Sequence, residues 1–93
     1  MKVVWAQHAN ERLGSIFDFI ERDSSPRAVQ FCGRLLEATE RLGEYPLAGP
    51  VVPEDPAHRQ LVVDGYRIVY RIAEKIVYVV TIVAPGMTYD QAL

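Results

Sequence analysis

The sequence predicts an α+β domain: a short β-strand, an α-helical hairpin and then an antiparallel β-meander. That β-α-α-β-β-β order would pack its helices on one face of the sheet. Three observations carry the expectation. Apolar residues recur twice at helical spacing between residues 9 and 42, and they alternate at strand spacing from 58 to 83. Two turn signals, Asp64-Gly65 and Glu74-Lys75, divide the second stretch into three strands. At 93 residues the chain is read as one domain, 1–93, whose elements share a single core.

Val3-Val4-Trp5 is the opening strand. Ala9, Leu13, Ile16, Phe17 and Ile20 then fall on one helical face, while Glu11, Arg12, Asp18, Glu21 and Arg22 point away from it. Asp23-Ser24-Ser25-Pro26 ends this helix, with Ser25 expected to cap the next one and Pro26 at its first position. Ala28, Cys32, Leu35, Leu36, Thr39 and Leu42 form the second stripe, flanked by Val29 and Phe31, and Gly43 stops it. Two amphipathic helices joined by so short a polar link form an antiparallel hairpin.

Residues 43–57 read as a long loop stiffened by Pro46, Pro50, Pro53 and Pro56 and tied down through Tyr45, Leu47, Val51 and Val52. In the meander, Tyr66, Ile68, Tyr70 and Ile72 share one face and Arg67, Val69 and Arg71 the other. The last strand alternates Ile76, Tyr78, Val80 and Ile82 with Val77, Val79, Thr81 and Val83. Apolar on both faces, it belongs at the centre of the sheet. The helices account for one face only. The other, with Val69, Val77 and Val79 beside the arginines, is expected to lie open for a partner. Residues 84–93 read as a tail leaving the sheet.

Composition narrows the chemistry. A net charge of −2 and a pI of about 5.6 argue against a dedicated nucleic-acid binder. One cysteine, Cys32, excludes an internal disulfide and a cysteine-rich zinc site. His8 and His58 lack ligand partners at metal spacing, so neither metal nor cofactor is expected. With no signal peptide and no membrane-length apolar run, the cytoplasm is the expected compartment. What remains is the group Arg59, Arg67 and Arg71 with His58. Arginine would stabilise a phosphorane and His58 would move a proton in a metal-free RNA cleavage. The competing reading pairs these arginines with carboxylates, internal or on a partner.

Read in order, the Trp5 segment with Ala9 and Leu13, Ile16-Phe-Asp-Phe-Ile20 and Ser25-Pro-Arg-Ala28 resemble the RelE/ParE superfamily of type II toxin–antitoxin toxins. Leu42-Gly-Glu-Tyr-Pro46 with Gly49, Arg59-Gln-Leu61 and Gly65-Tyr-Arg-Ile-Val-Tyr-Arg71 continue the resemblance, which spans Val3 to Val83. The helical hairpin, the Tyr-Pro…Gly loop and Arg-Gln-Leu resemble the ParE branch most. That resemblance implies a plasmid-stabilisation type of toxin that inhibits DNA gyrase by binding. It also implies neutralisation by a ParD-like antitoxin carrying a DNA-binding dimerisation domain, through which DNA is met only indirectly. Arg59, Arg67, Val69, Arg71, Val77 and Val79 are the implied contact residues for antitoxin or target. Two alternatives stay open. One is a ribosome-dependent mRNA endoribonuclease of the RelE type using His58 and Arg67. The other is a non-toxic remnant that binds only its antitoxin. The RelE branch's paired lysines fall at His58 and Gln60, and no basic residue follows Lys75. Both departures disfavour the nuclease.

Overall fold

The computed structural model describes all 93 residues. β1 (Lys2–Trp5), α1 (Gln7–Glu21) and α2 (Ser25–Glu40) are followed by one 3₁₀ turn, Arg41–Gly43. β2 (Val51–Val52), β3 (Asp55–Val63), β4 (Tyr66–Ala73), β5 (Ile76–Val83) and α3 (Tyr89–Ala92) complete the chain. The strands form one sheet in the order β1-β5-β4-β3-β2, with β1 parallel to β5 and the remaining pairs antiparallel. The intervening hairpin of helices returns the chain so that β1 can run parallel beside the last strand. β5 is therefore an interior strand, flanked by β1 and β4, as its two apolar faces require.

Both meander turns place two residues at positive φ: Asp64 and Gly65, then Glu74 and Lys75. This is the type I′ geometry that matches the right-handed twist of paired strands. Ser24, one residue earlier than expected, caps α2 by accepting a hydrogen bond from the Arg27 N–H (3.3 Å). Pro26 takes the second helical position, where its missing N–H is still one of the unpaired ones. The α2 stripe is also rotated relative to the expected one. Phe31 is buried and packs on Tyr66 with ring centroids 4.7 Å apart, whereas Leu36 faces solvent. Ala9, Ile16, Phe31, Leu35, Ile68, Val79 and Ile82 form the core between helices and sheet.

The expected open sheet face does not exist as drawn. β4 pairs Val69 with Thr81 but Tyr70 with Val79, so Val80 is an extra residue and β5 carries a bulge there. The bulge inverts the alternation. Val77 and Val79 point under the helices, Val77 against Leu42 and Tyr70, while Thr81 and Val83 turn to the opposite face. That face is closed by the chain itself. Pro85 and Gly86 make a turn with Gly86 at φ 83, and a capping box between Thr88 and Gln91 starts α3. Tyr89 and Ala92 then cover Val52, Val69 and Val83. The Ala92 carbonyl accepts from Thr81 Oγ1 (2.5 Å) and lies 2.6 Å from His8 Nε2. Residues 84–93 are thus a strap across the sheet, not a departing tail.

The 43–57 segment is likewise more structured than expected, since it contains β2 and the first residues of β3. Of its four expected apolar ties only Val52 is buried; Tyr45, Leu47 and Val51 are exposed. Its real tie is polar. Tyr70, fully buried, accepts from the Gly49 N–H (3.0 Å) and donates to the Pro46 carbonyl (2.7 Å), while Arg59 donates to the Gly49 carbonyl (2.8 Å). Gly49 must be glycine, because a Cβ there would stand 2.3 Å from the Gln60 carbonyl oxygen.

Candidate functional site

The three sheet arginines do not form one site. Arg59 is spent on the Gly49 carbonyl. Arg67 projects from β4 onto the α3 face. There it makes a bidentate pair with Glu54 (3.0 and 2.8 Å), donates to Gln60 Oε1 (2.6 Å) and lies 5.7 Å from the centre of the Tyr89 ring. The Arg67 hydrogen bond holds Glu54 below the usual carboxylate range, and the same bond raises the guanidinium. Arg71 has no hydrogen-bond partner and lies over the ring of its cross-strand neighbour Tyr78, 4.5 Å from the centroid.

Beside Arg67 a second trio forms. Tyr89 donates to Asp55 Oδ2 (3.1 Å), and His58 Nδ1 approaches the same oxygen at 2.8 Å, off the line of an N–H···O bond. Burial pushes Asp55 up, but its contacts with His58 and Tyr89 outweigh that and leave it below its ordinary value. Burial, reinforced by the Asp55 hydrogen bond, pushes the Tyr89 hydroxyl up to about 12. The structure therefore does bring His58 and Arg67 into one neighbourhood, yet each is matched there with a carboxylate. Glu54, Asp55 and Tyr89 are the members that sequence reading missed. Glu54 and Asp55 come from the β2–β3 turn, inside the stretch read as a loop, and Tyr89 from the presumed tail, and no spacing rule links them to Arg67.

Val69, Val77 and Val79, expected on the contact surface, have no exposure at all. Val77 and Val79 pack on the helix side of the sheet and Val69 under α3, so none of them can be touched from outside. The accessible apolar surface lies elsewhere, along α2. One stretch of groove is lined by Phe19, Ile20, Phe31 and Tyr66 between α1, α2 and the β3–β4 turn. A second is lined by Ala38, Leu42, Tyr45, Ala48 and Leu61 between α2 and β3. Between them the edge of β3 is bare. Gln60 donates outward to the Pro50 carbonyl (2.9 Å), and Val62 has the same orientation but lies beyond the end of β2, which reaches only Arg59. Val62 is 64% exposed. Strand edges left open in this way accept another extended chain.

A small α+β domain with a neutralised polar cluster and an open strand edge is the class that fold and site define. A model of the ParE toxin of type II toxin–antitoxin systems (parDE) matches residues 3–89, and the chain belongs to that family. Among solved structures, a chain of the chromosomal ParDE toxin–antitoxin system from P. aeruginosa has the same fold, with a TM-score of 0.80 and 21% identity. The alignment covers 92% of this chain and 97% of that one. No curated protein gives a significant match. No helix is long and apolar enough to cross a membrane.

Proposed function

We propose that this toxin acts in the cytoplasm by binding DNA gyrase, and that a ParD-like antitoxin with a DNA-binding dimerisation domain neutralises it. The supporting observation is the state of Arg67. Metal-free RNA cleavage needs a cation free to meet the phosphorane and a proton-transfer group beside it. Arg67 is instead held bidentate by Glu54, and His58 sits against Asp55. A phosphate entering there would have to displace one carboxylate and meet the repulsion of both. Of the sheet residues first considered for contact, Arg71 keeps its donors free and is the one proposed to meet a partner. Arg59 and Arg67 support the surface from behind.

Expression without antitoxin is expected to arrest growth, and the purified chain to inhibit gyrase supercoiling without new RNA ends in cells. Codon-linked RNA cleavage with normal supercoiling would replace this reading by the RelE-type nuclease. Normal growth would leave only antitoxin binding.

A further inference from the structure

α3 covers only half of the outer face of the sheet. Tyr89 and Ala92 seat on Val52, Val69 and Val83, toward the end of β5. Toward the start of β5 the face carries no such cover. Val3, Trp5, Tyr70, Ile72, Val77 and Val79 all pack on the helix side. By strand alternation their neighbours on β1, β4 and β5 point the other way. Register sets these neighbours in two rows across the three strands: Lys2, Ile76 and Ala73, then Val4, Tyr78 and Arg71. None of the six is buried, and none belongs to a core cluster. The middle of the patch is apolar and its margin is basic. Lys2 on one side, Arg71 on the other and Lys75 in the β4–β5 turn are exposed and form no ion pair. Arg71 lies over Tyr78 with its donors free. Along β1 and from Arg71 to Val80, Glu74 is the single carboxylate. On the covered half, Glu54 and Asp55 are already held by Arg67 and by His58 with Tyr89, and Asp90 is an exposed residue of α3 itself.

We propose that this bare half-face seats an acidic amphipathic helix of a partner protein, lying beside α3 in the same layer. On the gyrase reading above, which this inference rests on and extends, the helix belongs to the inhibited target. The patch is a surface of side chains, which a helix covers and an added strand does not. Its three strands span about 10 Å, the width of one helix. The covered half shows the fit, since Tyr89 and Ala92 seat there as an i, i+3 pair. Lys2, Arg71 and Lys75 would meet carboxylates on the flanks of the incoming helix, and Val4, Ile76 and Tyr78 its apolar stripe. A second copy of this chain is a poorer occupant, because a two-fold contact would press one basic margin against another. So is a nucleic acid. Arg71 already covers the ring on which a base would stack, and three cations on a chain of net charge −2 release few counterions.

The test titrates gyrase supercoiling with the purified full chain. The triple variant Lys2→Glu, Arg71→Glu, Lys75→Glu is expected to need at least about 50-fold more protein for half inhibition, since each reversal turns an attraction into a repulsion. Ala73 tests the sign of the charge at one point inside the patch. Ala73→Glu should lose about 10-fold or more, while Ala73→Lys should stay within about threefold of the parent. All three variants should keep the parent melting temperature within a few degrees. Inhibition by the folded triple variant within twofold of the parent would overturn the surface and leave the toxin reading intact. Equal losses in Ala73→Glu and Ala73→Lys would overturn the acidic character of the partner. A parent chain that leaves gyrase unaffected would instead remove the gyrase reading. The surface is then decided by anisotropy with a labelled (Glu-Ala-Leu-Ala-Ala-Leu-Glu)₂ helix against its lysine counterpart. Preference for the glutamate helix, abolished in the triple variant, supports it; no preference overturns it. Tighter binding of a single-stranded oligonucleotide, or self-association lost in Arg71→Glu, would overturn it in favour of nucleic acid or a second copy of the chain.

Discussion

Replacing Tyr70 with phenylalanine removes one oxygen atom from the centre of the molecule and leaves the ring packed on Leu42 and Val77. That oxygen accepts from the Gly49 N–H and donates to the Pro46 carbonyl, and it ties the buried side of the sheet to the loop wall that carries Tyr45. The substitution strands a donor and an acceptor where water has little access, for a cost of about 1–3 kcal/mol. For a domain of this size each kcal/mol moves the melting temperature by about 4–8 °C, so a loss near 2 kcal/mol lowers it by roughly 8–16 °C. Thermal and urea unfolding by circular dichroism measure this, with an unchanged m-value showing that compactness is preserved. Faster amide exchange should be confined to Leu47, Ala48 and Gly49. Arg59→Ala releases the same loop by freeing the Gly49 carbonyl, so the double variant should cost less than the sum of the two. A Tyr70→Phe protein within about 0.5 kcal/mol of the parent would refute the reasoning, because buried orphans of this kind are not free. Burial also raises the Tyr70 hydroxyl, so it stays protonated as the donor that the Pro46 carbonyl needs.

Other changes test separate parts of the fold. Glu74 and Lys75 sit at positive φ, a region costing ordinary residues about 1–2 kcal/mol each, so Lys75→Gly should raise stability by about 1 kcal/mol in denaturant unfolding. Gly14 and Gly33 lie within helices with open space where a Cβ would stand, so alanine at either should stabilise by about 0.5–1 kcal/mol. The polar cluster shapes the pH dependence. Glu54 and Asp55 are held below their ordinary values, so their contribution is present above about pH 4 and lost as acid protonates them. Arg67→Gln should flatten that acid limb. Tyr89 is shifted the other way, to about 12, so its contribution is whole below pH ~10 and lost between there and about 12. Tyr89→Phe should remove that alkaline loss in unfolding titrations.

The strand, the helical hairpin and the meander were legible because each is encoded locally. A helical stripe repeats within four residues, a strand alternates within two, and a type I′ turn is written in the two residues that make it. The Pro85-Gly86 pair was equally local, and it marks the turn that sends the chain back over the sheet. Its consequence was not local. Whether residues 84–93 leave the domain or cover Val69 and Val83 depends on contacts with β2 and with His8, which no window of sequence contains. The Val80 bulge is a further case: Ile76 to Val83 reads as unbroken alternation, and only the register against β4 shows that its two halves face opposite ways. From sequence alone the arginines at 59, 67 and 71 were one basic face. Tertiary packing divides them into a loop tie, a neutralised pair and one free guanidinium, and it moves the accessible groove to α2. Local propensity settles what each segment becomes. Which charges cancel, which apolar residues are hidden and which edge stays open follow from pairings between distant residues, and those pairings form only when the chain is folded.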